Sequence, residues 1–194
     1  TAPVLDAALR TAVDHSFHAL NVDGGPSTND TVIVMASGAS GVSPEPEDLA
    51  AILTAASVDL ARHIAADAEG ASRVVTIVVT GTATDAAARS IGRRVADSAL
   101  VRSSFYGADP NWGRIVGALG EVDEEVDFDD LTIAFAGTTV TRAGVGVRID
   151  EDAVSEAMTG DFGVTICVGD GPGTARVFTT DLTPDYVRFN AERS

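Results

Sequence analysis

The chain has little sulfur and few histidines. Its 194 residues hold one cysteine, Cys167, so an internal disulfide is excluded, and a reducing cytoplasm is the expected setting. Cys167 lies inside the apolar run Val164-Thr165-Ile166-Cys167-Val168, the setting of a buried structural thiol. The three histidines, His15, His18 and His63, show no metal-ligand spacing, so no metal is expected. Positive charge is also scarce. Thirteen Lys plus Arg against 29 Asp plus Glu give a formal charge of −16, which excludes a nucleic-acid partner by phosphate repulsion and favours a cationic ligand. Part of that acidity is local, with Glu121 to Asp130 reading as a solvated acidic loop. No run reads as a membrane span or a signal peptide, and neither a P-loop nor a Gly-x-Ser-x-Gly elbow occurs. No complete catalytic triad forms within the chain, so chemistry is expected to need another chain.

What is present is an ordinary globular composition, 45% hydrophobic and 22% charged, long enough to bury a core. Leu5, Leu9, Ala12, Val13, Phe17 and Leu20 recur at helical spacing and predict a helix over residues 3–20. Residues 32–36 (Val-Ile-Val-Met-Ala) predict a short buried strand. A second helix is expected over 46–69, with Leu49, Ile52, Leu53, Ala56, Leu60 and Ile64 as its buried stripe and Gly70 as its stop. A strand follows over 73–79, then a third helix over 84–102 with Thr84 as cap and Ala88, Ile91, Val95 and Ala99 inward. The last third predicts strands over 131–136, 138–147, 160–168 and 175–180, a short helix over 151–158 and a final helix from Thr183. Gly169-Asp170-Gly171-Pro172-Gly173 reads as a hairpin turn. The pattern is layered α/β, divided into a helix-and-strand lobe over 1–120 and a strand-rich lobe over 121–194.

Three stretches concentrate chemistry. The loop Tyr106-Gly107-Ala108-Asp109-Pro110-Asn111-Trp112-Gly113-Arg114 packs an Asp, an Asn, the single Trp and an Arg onto constrained backbone. It reads either as a helix-to-strand connection with an aromatic anchor or as part of a site. The pentad Ser27-Thr28-Asn29-Asp30-Thr31 either grips a polar substrate or closes a turn on its own backbone. Glu69, expected at the last helical position, meets the negative end of a helix dipole at a penalty of roughly 0.3–1 kcal/mol. It is either a solvated helix end or a carboxylate kept to bind an ammonium group.

Four stretches taken in order resemble one family. They are Asp23-Gly24 with the pentad; Asp67-Ala68-Glu69-Gly70; Gly107-Ala108-Asp109-Pro110-Asn111-Trp112-Gly113-Arg114-Ile115; and Thr179-Thr180-Asp181-Leu182-Thr183 with Tyr186-Val187 and Asn190-Ala191. Together they resemble the β chain of the bifunctional ornithine acetyltransferase/glutamate N-acetyltransferase of arginine biosynthesis, over nearly the whole chain. The resemblance implies an α/β sandwich of the self-processing type shared with a group of aminopeptidases. It implies a precursor that cuts itself before a threonine, which then carries acetyl from N-acetylornithine to glutamate as an acyl-enzyme. An α chain of the same precursor would supply the oxyanion hole in an α2β2 assembly. No bound cofactor is implied; acetyl-CoA would enter only as a further acetyl donor. Glu69 matches the acidic substrate-binding position and Asn190 the C-terminal one. Ser194 matches less well, because the family's terminal tyrosine is missing. Asn29, Asp30, Asn111, Trp112 and Arg114 would shape the site. Thr1 would be the nucleophile only as the processed N-terminus. The family places an apolar strand between nucleophile and first helix, so the expectation is a nucleophile about a dozen residues upstream. The alternatives are a self-processed aminopeptidase of related fold and a non-catalytic α/β assembly subunit.

Overall fold

A computed structural model describes residues 1–192. The elements run α1 (Ala2–His15), a 3₁₀ turn (Phe17–Ala19), α2 (Pro46–Ala66), β1 (Val74–Gly81), α3 (Asp85–Asp97), α4 (Ala99–Tyr106), α5 (Trp112–Leu119), β2 (Thr132–Phe135), β3 (Thr138–Arg142), β4 (Val145–Gly146), α6 (Glu151–Ala157), β5 (Phe162–Cys167), β6 (Gly171–Thr180) and α7 (Pro184–Glu192). The strands form one mixed sheet in the order β4-β3-β2-β5-β1-β6. Helices flank this sheet, so the expected layered α/β architecture is present.

β1 lies between β5, which it meets in parallel, and β6, which it meets antiparallel. The described residues of the two expected lobes, 1–120 and 121–192, therefore share one sheet. They also share one core, in which Val75, Ile77 and Val79 pack with Ile133, Val164, Ile166 and Val177. The chain between β5 and β6 is not a hairpin turn, as the glycine run suggested, but a crossing over the end of β1. Gly171 pairs with Gly81, and a Cβ on Gly173 would meet the Thr84 backbone and the Thr82 hydroxyl, so the run is glycine-rich because three segments converge there. The run predicted as one strand over 138–147 is instead the hairpin β3–β4, turned by Ala143 and Gly144 at φ 50° and 68°.

Alternation along β6 sorts the two helix layers. Val177 faces α3, whose Gly92 lies against it, while Phe178 faces the opposite layer and packs on Ala19 and Ala61. That second layer corrects the stripe expected for α2. Ser57, Ala61 and Ala65 are its buried residues, as Ala8 and Ala12 are those of the neighbouring α1, while Ile52, Leu60 and Ile64 are 65%, 56% and 49% exposed. The small side chains let the two helices approach closely, and the larger aliphatics are left outward. α2 is also long and apolar enough to cross a membrane by length and composition alone, with mean hydropathy 1.4 over its best window, although no such run was read from the sequence.

Residues 32–36 form no strand, contrary to expectation; Ile33 and Met35 are 72% and 88% exposed. A strand needs neighbouring backbone to satisfy its N–H and C=O groups, and none pairs with this run among the described residues. The predicted third helix is two helices. Ser98 takes an extended ψ of 112° and accepts the Val101 N–H on its side chain, ending α3 and starting α4. Ala99, expected inward, is exposed at that break.

Candidate functional site

The site elements meet where α2 ends, where β6 ends and where α7 begins. α2 stops at Ala66, so Glu69 is not the last helical residue; it sits in the turn beyond. The helix-dipole penalty falls on Asp67, the C-cap, and not on Glu69. Gly70 follows with φ 69° and touches α7: a Cβ on it would come within 2.7 Å of the Tyr186 Cα. Only glycine meets both demands, left-handed backbone and room for a helix start.

The turn is fastened at Gly70 and just beyond it, at Ser72. The Thr183 hydroxyl donates to the Gly70 carbonyl at 2.5 Å, and Asp181 accepts from the Ser72 N–H at 2.9 Å and also from the Ser72 hydroxyl. Arg73 lies 3.6 Å from the same carboxylate and donates to the Met158 carbonyl at 2.5 Å. From α4, the buried Arg102 donates to the Thr180 carbonyl at 3.0 Å, the Thr180 hydroxyl at 2.9 Å and the Asp181 carbonyl at 3.2 Å. Its guanidinium also lies 5.6 Å from the centre of the Tyr186 ring. Burial pulls the Arg102 guanidinium below its ordinary value, with Tyr186 and Asp181 pulling the other way.

On this frame the Glu69 side chain is exposed, and among the described residues it makes no hydrogen bond or ion pair. Asn190, two turns along α7, is exposed as well and donates to the Tyr186 carbonyl at 3.0 Å. Both substrate positions expected from sequence are thus borne by elements fixed to one another, Glu69 on the turn and Asn190 on α7. Ser194 lies outside the described residues. Thr1 is exposed at the start of α1, where its carbonyl accepts from Leu5.

Ser27, Thr28, Asn29 and Asn111 spend side-chain polar groups on nearby residues. Ser27 accepts from the backbone N–H groups of Asn29 and Asp30 at 3.3 and 3.0 Å, and the Thr28 hydroxyl donates to Asn29, which is the turn reading of the pentad. Asn111 caps α5 by accepting from the Arg114 N–H at 3.3 Å, and Arg114 donates to the Leu100 carbonyl at 2.7 Å. The loop therefore joins helix to helix, not helix to strand. Trp112, read as an aromatic anchor, is half-buried; it packs on the main core and covers Gly146. A cleft of about 540 Å³ opens beside it, walled by Asp109, Val140, Val147, Glu151 and Asp152. A second cleft, of about 620 Å³, is walled by Glu124, Glu125, Asp127, Asp130 and Asp170. Neither cleft includes Glu69 or Asn190.

Arg102 and Ser72 were not singled out in the sequence, and Thr183 was named only as a motif residue and a helix start. A signal for Arg102 existed: it follows Val101 and precedes Phe105 by three positions, which puts it beside the apolar face of the helix, and both of those residues are fully buried.

A model of the ArgJ family matches residues 1–194. The chain belongs to the ArgJ family. Among curated ArgJ relatives, the arginine biosynthesis bifunctional protein ArgJ of Thermobifida fusca is 42% identical over 97% of this chain and 49% of its own length. That of Mycobacterium leprae is 40% identical over 98% of this chain and 46% of its own. The chain spans about half the length of the curated relatives it matches. A crystal structure of the ArgJ protein of Bacillus halodurans superposes with a TM-score of 0.94 at 33% identity, covering 99% of this chain and 94% of that one.

Proposed function

We propose that this ArgJ chain is the β chain of a self-cleaved N-acetyltransferase that moves acetyl from N-acetylornithine to glutamate. The observation that carries the reading is the pairing of a carboxylate without a partner among the described residues, Glu69, with a backbone clamped by the Thr183 and Asp181 bonds. A carboxylate on a fixed turn is suited to hold an ammonium group without reorganising. Asn190, on the helix bonded to that turn, offers an amide to the same substrate.

In this mechanism a threonine freed by self-cleavage attacks the acetyl carbonyl, with its own amine taking the hydroxyl proton. Ornithine leaves, an acetyl ester remains on the threonine, and the glutamate amine then displaces the threonine oxygen. Thr1 takes that role only where it is the processed N-terminus. The oxyanion donors come from an α chain of the same precursor, in an α2β2 assembly located in the cytoplasm. The exposed aliphatics Ile33, Met35, Ile52 and Leu60 offer surface for that partner. No bound cofactor takes part, and acetyl-CoA would serve only as a further donor.

The test is incubation of the complete protein with N-acetylornithine and glutamate, with the acetylated threonine mapped by mass spectrometry. Transfer is the expected result. Hydrolysis of N-terminal peptide bonds alone would make it an aminopeptidase, and neither activity an assembly subunit. Glu69→Gln keeps the shape and removes the charge, and is expected to weaken acetylation by N-acetylornithine by about 2–5 kcal/mol. An unchanged half-reaction would return Glu69 to a solvated turn residue.

A further inference from the structure

We infer that Thr183 is a positioning residue: its one buried hydroxyl sets the turn carrying Glu69 against the helix carrying Asn190. The inference rests on the reading that Glu69 and Asn190 contact substrate. Thr183 is 4% exposed. Its hydroxyl donates to the Gly70 carbonyl at 2.5 Å and accepts from the Tyr186 N–H at 3.0 Å. A hydroxyl has one proton and two lone pairs, so both bonds stand at once. The accepting half is an N-cap bond, which satisfies an orphan amide in the first turn of α7. The donating half is unusual for a cap, because it leaves the helix and ends on the residue next to Glu69.

The link continues to Asn190. Tyr186, whose N–H is held by Thr183, accepts the Asn190 amide on its carbonyl at 3.0 Å. One turn of helix thus separates Tyr186, the residue the hydroxyl holds, from a residue read as substrate-binding. On the other side, Gly70 lacks the Cβ that would push α7 away. A free carboxylate is only as well aimed as the backbone beneath it. The Glu69 turn has its aim set by Thr183 at Gly70 and by Asp181 at Ser72. Arg102 holds Thr180 and Asp181 in turn, so the frame reaches back into the core through α4.

The experiment is the acetylation half-reaction of the complete enzyme with N-acetylornithine, for Thr183→Val, Thr183→Ser, Glu69→Gln and the Glu69→Gln/Thr183→Val double variant. Valine keeps the shape and loses both bonds; serine keeps both. Thr183→Val is expected to raise the half-saturating N-acetylornithine about tenfold, with the rate at saturation within about threefold of the parent, since a misplaced contact weakens binding geometry. Thr183→Ser is expected within about twofold of the parent. In the Glu69→Gln background the Val substitution should add less than about twofold, because residues acting through one another are not additive. Parent-like kinetics in Thr183→Val, or an undiminished tenfold loss on the Glu69→Gln background, would overturn the positioning role while leaving Glu69 as a substrate contact. A Glu69→Gln variant that matches the parent would overturn the substrate reading itself and the inference with it. Should Thr183→Val fail to fold, Thr183→Ala removes the same two bonds without a branched side chain. It is expected to raise the same half-saturation at least threefold, and an unchanged value would overturn the inference.

Discussion

At the scale of single residues, polar side chains here divide between those that hold backbone and those left free. Arg102, Asp181 and Thr183 are buried and fully engaged, while Glu69 is exposed and without a partner among the described residues. Trp112 belongs to neither set. Half-buried, it closes the loop onto the main core and shields Gly146. Its truncation should therefore cost less than the roughly 3–5 kcal/mol of a fully buried aromatic, and Trp112→Ala is expected to lose about 2–3 kcal/mol in urea unfolding. A loss under about 1 kcal/mol would show that the ring faces the neighbouring cleft without anchoring the loop. Glu69 was legible as a chemical oddity at a position the resemblance marks for substrate, but the argument from the helix dipole failed. Helix ends are set by local bonds, here Asp67 to His63, and periodicity places them only within a turn.

At the scale of elements, two contacts fix how helices meet. The first is Gly70 against α7. Gly70→Ala would place a methyl group into the Tyr186 backbone and strain a residue at φ 69°. Left-handed backbone alone costs about 1–2 kcal/mol for an L-residue, so a total loss above about 2 kcal/mol is expected, measured by thermal unfolding. A neutral substitution would mean that α7 can withdraw from the turn. The second contact ties α1 to α3. Arg89 donates to both oxygens of Asp14, at 2.6 and 2.9 Å, and holds that carboxyl down at about 2. The folded state favours the carboxylate, so the pair stabilises above the ordinary carboxyl range near 4. That contribution is lost as pH falls through about 2. Asp14 is half exposed, so solvent screening limits the pair to about 0.5–1 kcal/mol. Asp14→Asn is expected to melt about 2–3 °C lower at pH 7, with the gap closing as pH is lowered toward 2. A gap that persists in acid would assign the loss to packing.

At the scale of the whole molecule, the order of strands in the chain differs from their order in space. β1 comes before the acidic loop 121–130 and is held between β5 and β6, which come after it. Proteolytic nicking inside that loop is therefore expected to leave two fragments that elute together in size-exclusion chromatography and separate only in denaturant. Fragments that part in buffer would show that β1 is not locked between its neighbours.

The sequence by itself determined the local elements whose signals are complete within one stretch. Alternation gave β2, apolar runs gave β1 and β5, and helical spacing gave α1, α2 and the joined stretch of α3 and α4, while α5 was missed; Thr84 marked a cap and Thr183 the start of the last helix. It also carried the ordered motifs that point to the family. Only the tertiary structure decided which faces are covered. Leu60 and Ile64 satisfy every sequence criterion for a buried stripe, yet Ala61 and Ala65 are buried, because close approach to α1 depends on small side chains on both helices. Residues 32–36 have strand composition and no strand, because backbone pairing needs a neighbour that sequence composition does not supply. The joining of the Glu69 turn to α7 was likewise hidden, since the Thr183–Gly70 bond spans 113 positions and local pattern carries no information about which distant carbonyl a hydroxyl will reach.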